Sequence, residues 1–147
     1  MAAIREGRAR WSGDLPTGMG IVTAGTTGVF TDLPITWTSR TAEPDGVTSP
    51  EELLAAAHAA CYSMACSNVL AKAGTPPTRL DVTVAVTADR REAGWTVISA
   101  HITARGVVPG ATAESFRAAA EEAKDGCPIS RALKGNVQLS VEATLET

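Results

Sequence analysis

Three cysteines are all that 147 residues carry, and that scarcity excludes more than it permits. A small, odd number cannot build the disulfide framework of a secreted mini-protein. The spacings of Cys61, Cys66 and Cys127 fit no zinc pattern, and only His58 and His101 stand by to complete one. Basic blocks are missing too: 13 Lys+Arg against 16 Asp+Glu leave a net charge of −3 with no run of cations, which argues against nucleic acid and against an anionic membrane as partners. The opening MAAIREGRARW has no apolar stretch before a cleavage site, so no signal peptide is visible and the expected location is cytoplasmic. Linkers and internal repeats are not evident. The length suits one domain, residues 1–147, burying roughly two thirds of the surface that its unfolded chain exposes. The thiols are left as inert core residues or as redox groups.

What is present is organised around SPEELLAAAHAACYSMACSNVLAKAG, Ser49 to Gly74. Ser49 as N-cap, Pro50 at the first helical position and Glu51 and Glu52 in the first turn satisfy and charge-complement the free N–H end of a helix. Lys72 and Gly74 close it. From Leu53 to Cys66 nearly every residue is Ala, Leu, Met, Cys or Tyr, interrupted by His58 and Ser63. A surface helix needs only an apolar stripe of roughly 100°, so this one is expected to be buried on all sides. The apolar run is short and Ala-rich for a bilayer span of about 20 residues.

Before this helix the pattern is one of strands: residues 4–12 with Trp11 on the inner face, Ile21 to Ala24 and Val29 to Phe30 around Gly25 and Gly28, and Pro34 to Arg40 alternating Ile35, Trp37 and Ser39 against Thr36, Thr38 and Arg40. Together they predict an antiparallel meander. After the helix, Pro76 and Pro77 force a break. Leu80 to Ala88 and Gly94 to Arg105 read as a hairpin, Thr112 to Asp125 as a second helix with Phe116, Ala119, Ala120 and Ala123 buried, PISRAL as a short third helix, and Asn136 to Leu145 as a last strand beside one of the hairpin's two. The fold class is α+β, with antiparallel strand groups around a buried central helix. One small sheet covers only one side of a helix, so all-round cover calls for a second copy of the chain, an intertwined homodimer.

Cys127 stands just before Pro128, as N-cap or N′ residue of the short helix, where free N–H groups and the dipole favour thiolate; a small apolar residue filling a helix junction is the plain alternative. Cys61 lies among alanines, where burial raises a thiol pKa, so reactivity there needs a cation. Arg40 is the candidate, oriented by Glu51 or Glu52. Glu51 and Cys61 are ten residues apart, about 15 Å along one helix, so a site that uses both takes its glutamate from a partner chain. Cys66 sits about 140° round the helix from Cys61 and reads as packing. His58 reads as a hydrogen-bonded core histidine and His101 as half exposed in a strand, while Trp11, Trp37 and Trp95 read as core or interface residues.

SPEELLAAAHAACYSMACS, EEAKDGCPISRAL and, near the start, ARWSGDL with GMG together resemble the OsmC branch of the OsmC/Ohr family of thiol peroxidases, over essentially the whole chain. The resemblance implies an OsmC-like intertwined α+β homodimer that reduces organic hydroperoxides, and hydrogen peroxide, with two cysteines of one subunit. It implies Cys61 as peroxidatic and Cys127 as resolving cysteine, Glu51 as the acidic partner and Arg40 as the activating arginine; Arg5, Arg8 and Arg10 are the alternatives for that last role. The implied cycle runs from a Cys61 thiolate through a sulfenic acid to a Cys61–Cys127 disulfide, reopened by a dithiol or lipoyl-type reductant. No metal, haem or flavin cofactor is required. Two other readings compete: a redox sensor or small apolar ligand-binding stress protein without turnover, and a purely structural stress protein.

Overall fold

Ten secondary-structure elements make up the computed structural model, which describes residues 1–147. They gather into two compact units, Met1–Leu53 and Leu54–Thr147. In the first, β1 (Gly7–Ser12), β2 (Met19–Ala24) and β3 (Leu33–Ile35) form the expected antiparallel meander in the order β1-β2-β3. Its register explains GMG. Trp11 pairs with Gly20, and a Cβ on Gly20 would come within 2.7 Å of the indole ring. A Cβ on Gly18 would meet the Trp11 ring nitrogen at 2.9 Å and collide with the Asp14 carbonyl. Asp14 in turn shapes the turn, accepting from the Thr17 N–H at 2.9 Å and the Thr17 hydroxyl at 2.6 Å. Glycine stands at 18 chiefly because the carbonyls of Ser12 and Asp14 crowd it, and at 20 because the Trp11 and Ile35 side chains do.

Three expectations for this unit are corrected. Trp11 has no inner face to occupy, since every residue of β1 is exposed and the ring itself is 39% exposed. Val29 and Phe30 form no strand; Gly28, at φ +68°, turns the chain, with its N–H on the Ala24 carbonyl at 2.8 Å and the Ala24 N–H on the Phe30 carbonyl at 3.0 Å. The segment Pro34 to Arg40 is a strand only as far as Ile35 and then becomes the helix α1 (Trp37–Thr41). The reason is local: the Thr36 hydroxyl accepts the Ser39 N–H at 3.0 Å while the Ser39 hydroxyl accepts the Thr36 N–H at 3.2 Å, a reciprocal cap that overrides the alternating pattern.

Helix α2 (Pro50–Lys72) starts and stops where the caps require. Ser49 Oγ accepts the Glu52 N–H at 3.2 Å. At the far end Gly74, at φ +83°, places its N–H on the Ala71 carbonyl and the Thr75 N–H on the Leu70 carbonyl, which is the Schellman arrangement. With 23 residues the helix is longer than its apolar run suggested, and by length and composition it is apolar enough to cross a membrane. Its packing is one-sided. His58, Tyr62, Cys66 and Leu70, spaced four apart, are buried in the second unit. Cover on all sides is not found within one chain: Ala57 and Ala60 are exposed, and Met64 is 74% exposed.

In the second unit β4 (Arg79–Arg91) and β5 (Gly94–Val107) pair antiparallel across the two-residue turn Glu92–Ala93. The last strand, β6 (Gln138–Glu146), joins β5 but runs parallel to it, so this group is mixed rather than wholly antiparallel. Residues 108–137 explain the difference: they carry α3 (Ala113–Gly126) and α4 (Pro128–Leu133), and a connection of that length allows the parallel return that a short turn forbids. Thr112 caps α3 through Ser115 at 3.1 Å, and Phe116, Ala119, Ala120 and Ala123 are its buried face. Phe116 settles onto Gly106, where a Cβ would lie 2.7 Å from the ring. Around it lie Val84, Ala100, Ile102 and Ala104 of the sheet and Tyr62 and Leu70 of α2.

Candidate active site

In the second unit two long-range hydrogen bonds seat α2 against the helices that follow the hairpin. Tyr62 donates its hydroxyl to the Ala120 carbonyl of α3 at 2.9 Å, and His58 Nε2 lies 2.8 Å from Ser130 Oγ of α4. Between these ties lie Cys61 on α2 and Cys127, the N-cap of α4. Both belong to one core cluster, near enough for the Cys127 thiol to perturb that of Cys61, and all three cysteines of the chain are free thiols. Cys127 is fully buried and Cys61 partly so.

The structure departs from expectation in how the start of α4 is used. Cys127 occupies the N-cap position, yet its side chain makes no capping bond. The free N–H of Ile129, in that first turn, acts instead on the Cys61 thiol. Burial pushes the Cys61 thiol up from its ordinary range, the Ile129 N–H pulls it back, and the neighbouring Cys127 thiol pushes it up further. The net direction is upward, so this unit by itself does not make Cys61 a thiolate. Cys66 is buried in the same core, and burial pushes its thiol up to about 11, an effect the nearby Tyr62 hydroxyl partly offsets. A buried, protonated thiol is poorly nucleophilic. No group of three or more His, Cys, Asp or Glu side chains is arranged to hold a metal ion.

The cation lies in the first unit. Arg40, in the last turn of α1, donates from Nε to Glu51 Oε1 at 2.8 Å, and its guanidinium carbon stands 5.8 Å from the centroid of the Trp37 ring. The carboxylate side chain is 11% exposed and the arginine's 32%. Two contacts bring α1 to the start of α2: Ser39 Oγ donates to the Thr48 carbonyl at 3.0 Å, and Ile35 bridges to Thr48 in parallel register. Arg40 and Glu51 thus meet because Ser39, buried at the capping box, also holds Thr48. Charge-assisted pairing of this kind fixes the orientation of a guanidinium. Arg8 and Arg10 lie on the exposed strand β1, and Arg5 is exposed and donates to the neighbouring Ile4 carbonyl.

Three contributors escaped the sequence. The Ile129 N–H is backbone, and its only sequence sign is Pro128 at the first helical position. Trp37 beneath Arg40 requires a helix in which residues three apart share a face, whereas a strand was expected. Ser130 is 72 residues from the histidine it meets. His101 is exposed on β5, with Nδ1 2.7 Å from Ser140 Oγ.

Two free thiols in one core cluster and a separate arginine–carboxylate pair stand on a mixed helix-and-sheet fold. Residues 43–142 match the family model described as OsmC-like protein. The peroxiredoxin OsmC of Escherichia coli (strain K12) is 38% identical over 142 residues, which cover 97% of this chain and 98% of the relative. Among solved structures, the organic hydroperoxide resistance protein OhrB of Bacillus subtilis superposes with a TM-score of 0.74 at 23% identity, covering 95% of this chain and 98% of that one. An organic hydroperoxide resistance protein from Elizabethkingia anophelis gives 0.72 at 25% identity, covering 98% and 100%. The chain belongs to the OsmC family.

Proposed function

We propose that this protein reduces organic hydroperoxides, and hydrogen peroxide, through a Cys61 sulfenic acid and a Cys61–Cys127 disulfide that a dithiol reductant reopens. The protein is a thiol peroxidase of its family; the assignment of steps to residues is our reading. The observation that carries it is that Cys61 of α2 and Cys127 at the N-cap of α4, 66 residues apart in sequence, pack into the same core cluster as free thiols.

In the first step the Cys61 thiolate attacks the distal oxygen of the peroxide. An S–O bond forms, the O–O bond breaks, and the leaving alkoxide takes a proton to depart as alcohol, or as water from hydrogen peroxide. The Arg40 guanidinium favours the thiolate and stabilises the leaving oxygen, with Glu51 holding its plane. In the second step the Cys127 sulfur attacks the sulfenic sulfur, the S–S bond forms and water leaves. A small dithiol or a lipoyl group then exchanges through a mixed disulfide and returns both thiols. The protein acts as a homodimer: the exposed apolar side of α2 needs cover, and the helical distance of about 15 Å between Glu51 and Cys61 favours a guanidinium supplied by one copy to the thiol of the other.

One equivalent of cumene hydroperoxide added to the reduced protein, followed by peptide mass spectrometry, tests the assignment. We expect a Cys61–Cys127 linkage. Cys61→Ser abolishes peroxide consumption, whereas Cys127→Ser permits one turnover and traps the sulfenic acid. Equal partial losses in both variants would refute these roles, and rapid oxidation without dithiol-supported turnover would mean a sensor rather than an enzyme.

A further inference from the structure

His58 takes no part in that cycle, yet it is fully buried on the core side of α2, three residues before Cys61. Its Nε2 is bonded to Ser130 Oγ, and its Nδ1 is buried with no hydrogen-bond partner. An orphaned buried N–H is rarer than an orphaned acceptor, so the proton belongs on Nε2, donated to Ser130, with Nδ1 a bare lone pair on a neutral ring. A buried polar group that is only half satisfied is costly, and an apolar side chain would fill the same space without that cost. The bond to Ser130 therefore calls for a reason.

The position of Ser130 supplies one. It is the third residue of α4, one beyond the Ile129 whose N–H acts on the Cys61 thiol and three beyond Cys127 itself. A helix of six residues is not stable by its own hydrogen bonds and needs an anchor. Disulfide formation demands Cβ atoms about 3.5–4.5 Å apart, so small displacements of this turn decide whether the bond can close. We infer that His58 is a positioning residue for the thiol pair: through Ser130 it seats the first turn of α4 against α2, holding Cys127 in the core beside Cys61. This inference rests on the proposed roles of the two cysteines.

The test is the rate at which the sulfenic acid decays to disulfide, followed by stopped flow after one equivalent of cumene hydroperoxide, in Ser130→Ala, His58→Phe, the double variant and His58→Gln. Loss of one buried hydrogen bond is expected to slow closure about tenfold in each single variant. The double variant should be no slower than either single one, because both remove the same bond. His58→Gln, whose amide nitrogen reaches where Nε2 lies, should close near the wild-type rate. A merely structural role would lower stability while leaving closure in the folded protein unchanged. Wild-type closure in Ser130→Ala, or additive slowing in the double variant, would overturn the inference. Should His58→Phe fail to fold, Ser130→Ala, which removes a single oxygen, decides alone. Wild-type protein that forms no Cys61–Cys127 bond would instead refute the cysteine roles, an outcome visible without any substitution.

Discussion

The two units of this chain are built on different physical terms. Among the first 53 residues only Gly20 and Ser39 are buried, whereas the second unit contains the whole core cluster, from Tyr62 to Val137. The first is held by polar devices close in sequence: the Asp14 turn, the Thr36–Ser39 cap, the Ser39–Thr48 bond and the Arg40–Glu51 pair. A three-stranded sheet with no buried face is not an independent folding unit. The second unit is held by apolar contact around Phe116. Their chemistry divides the same way, with the thiols in the unit that has a core and the cation in the unit that lacks one. Sulfur chemistry that requires two atoms to meet belongs on a rigid scaffold; a long cationic side chain is fixed adequately by one carboxylate and one ring.

The contrast breaks most visibly under truncation. Phe116→Ala removes a fully buried ring seated on Gly106 and is expected to cost about 3–5 kcal/mol. Trp11→Ala, 39% exposed, is a surface change within one chain and on that basis should cost less than about 1 kcal/mol. If a second copy covers β1, the cost grows and becomes dependent on protein concentration. We expect that dependence. Urea denaturation of both variants at two concentrations tenfold apart measures it, and a Trp11→Ala cost that is small at both would leave the first unit bare in solution and weaken the dimer.

The next effect in size separates the units by function. Arg40→Gln removes the charge paired with Glu51 and should slow the oxidation of Cys61 about 10²-fold while leaving disulfide closure unchanged, since closure uses groups of the second unit alone. Stopped-flow traces resolve the two phases. An unchanged first phase would transfer the activating role to Arg5, Arg8 or Arg10; slowing of both phases would show that the two units do not divide the work as proposed.

Much of this was legible in the residues, and the reasons are specific. Ser49-Pro50, Gly74 and Thr112 bound α2 and α3 because capping is local chemistry, satisfied by side chains within three or four positions. Thr36 and Ser39 belong to the same class of signal, but their cap lies inside an alternating run of Ile35, Trp37 and Ser39 that reads equally well as strand. The parallel course of β6 is set by where α3 and α4 deliver the chain, which periodicity does not encode. The all-round cover expected for α2 is absent within one chain, where Ala57, Ala60 and Met64 are exposed. Cys127 could be singled out by the Pro128 that follows it and Cys61 only by the resemblance, whereas their place in one core cluster and the His58–Ser130 bond exist only once helices distant in sequence have packed.

The smallest effect concerns that histidine and is one of pH. Burial holds the His58 pKa below its ordinary value of 6.5, so only well above that value is the ring uncharged in folded and unfolded chains alike, contributing no slope. Between pH 6.5 and the lower folded value the unfolded chain binds a proton that the folded chain refuses; stability therefore falls as pH falls through that window, and the slope is positive with rising pH. Glutamine in its place binds no proton in either state. The stability of wild type minus that of His58→Gln, measured by urea denaturation between pH 7.5 and 5, is thus expected to drop toward acid, with contributions from all other carboxylates and from His101 cancelling. A difference that stays flat would mean the folded protein protonates His58 freely. Nδ1 would then have found an acceptor, and the argument that the ring is kept neutral to bind Ser130 through Nε2 would lose its basis.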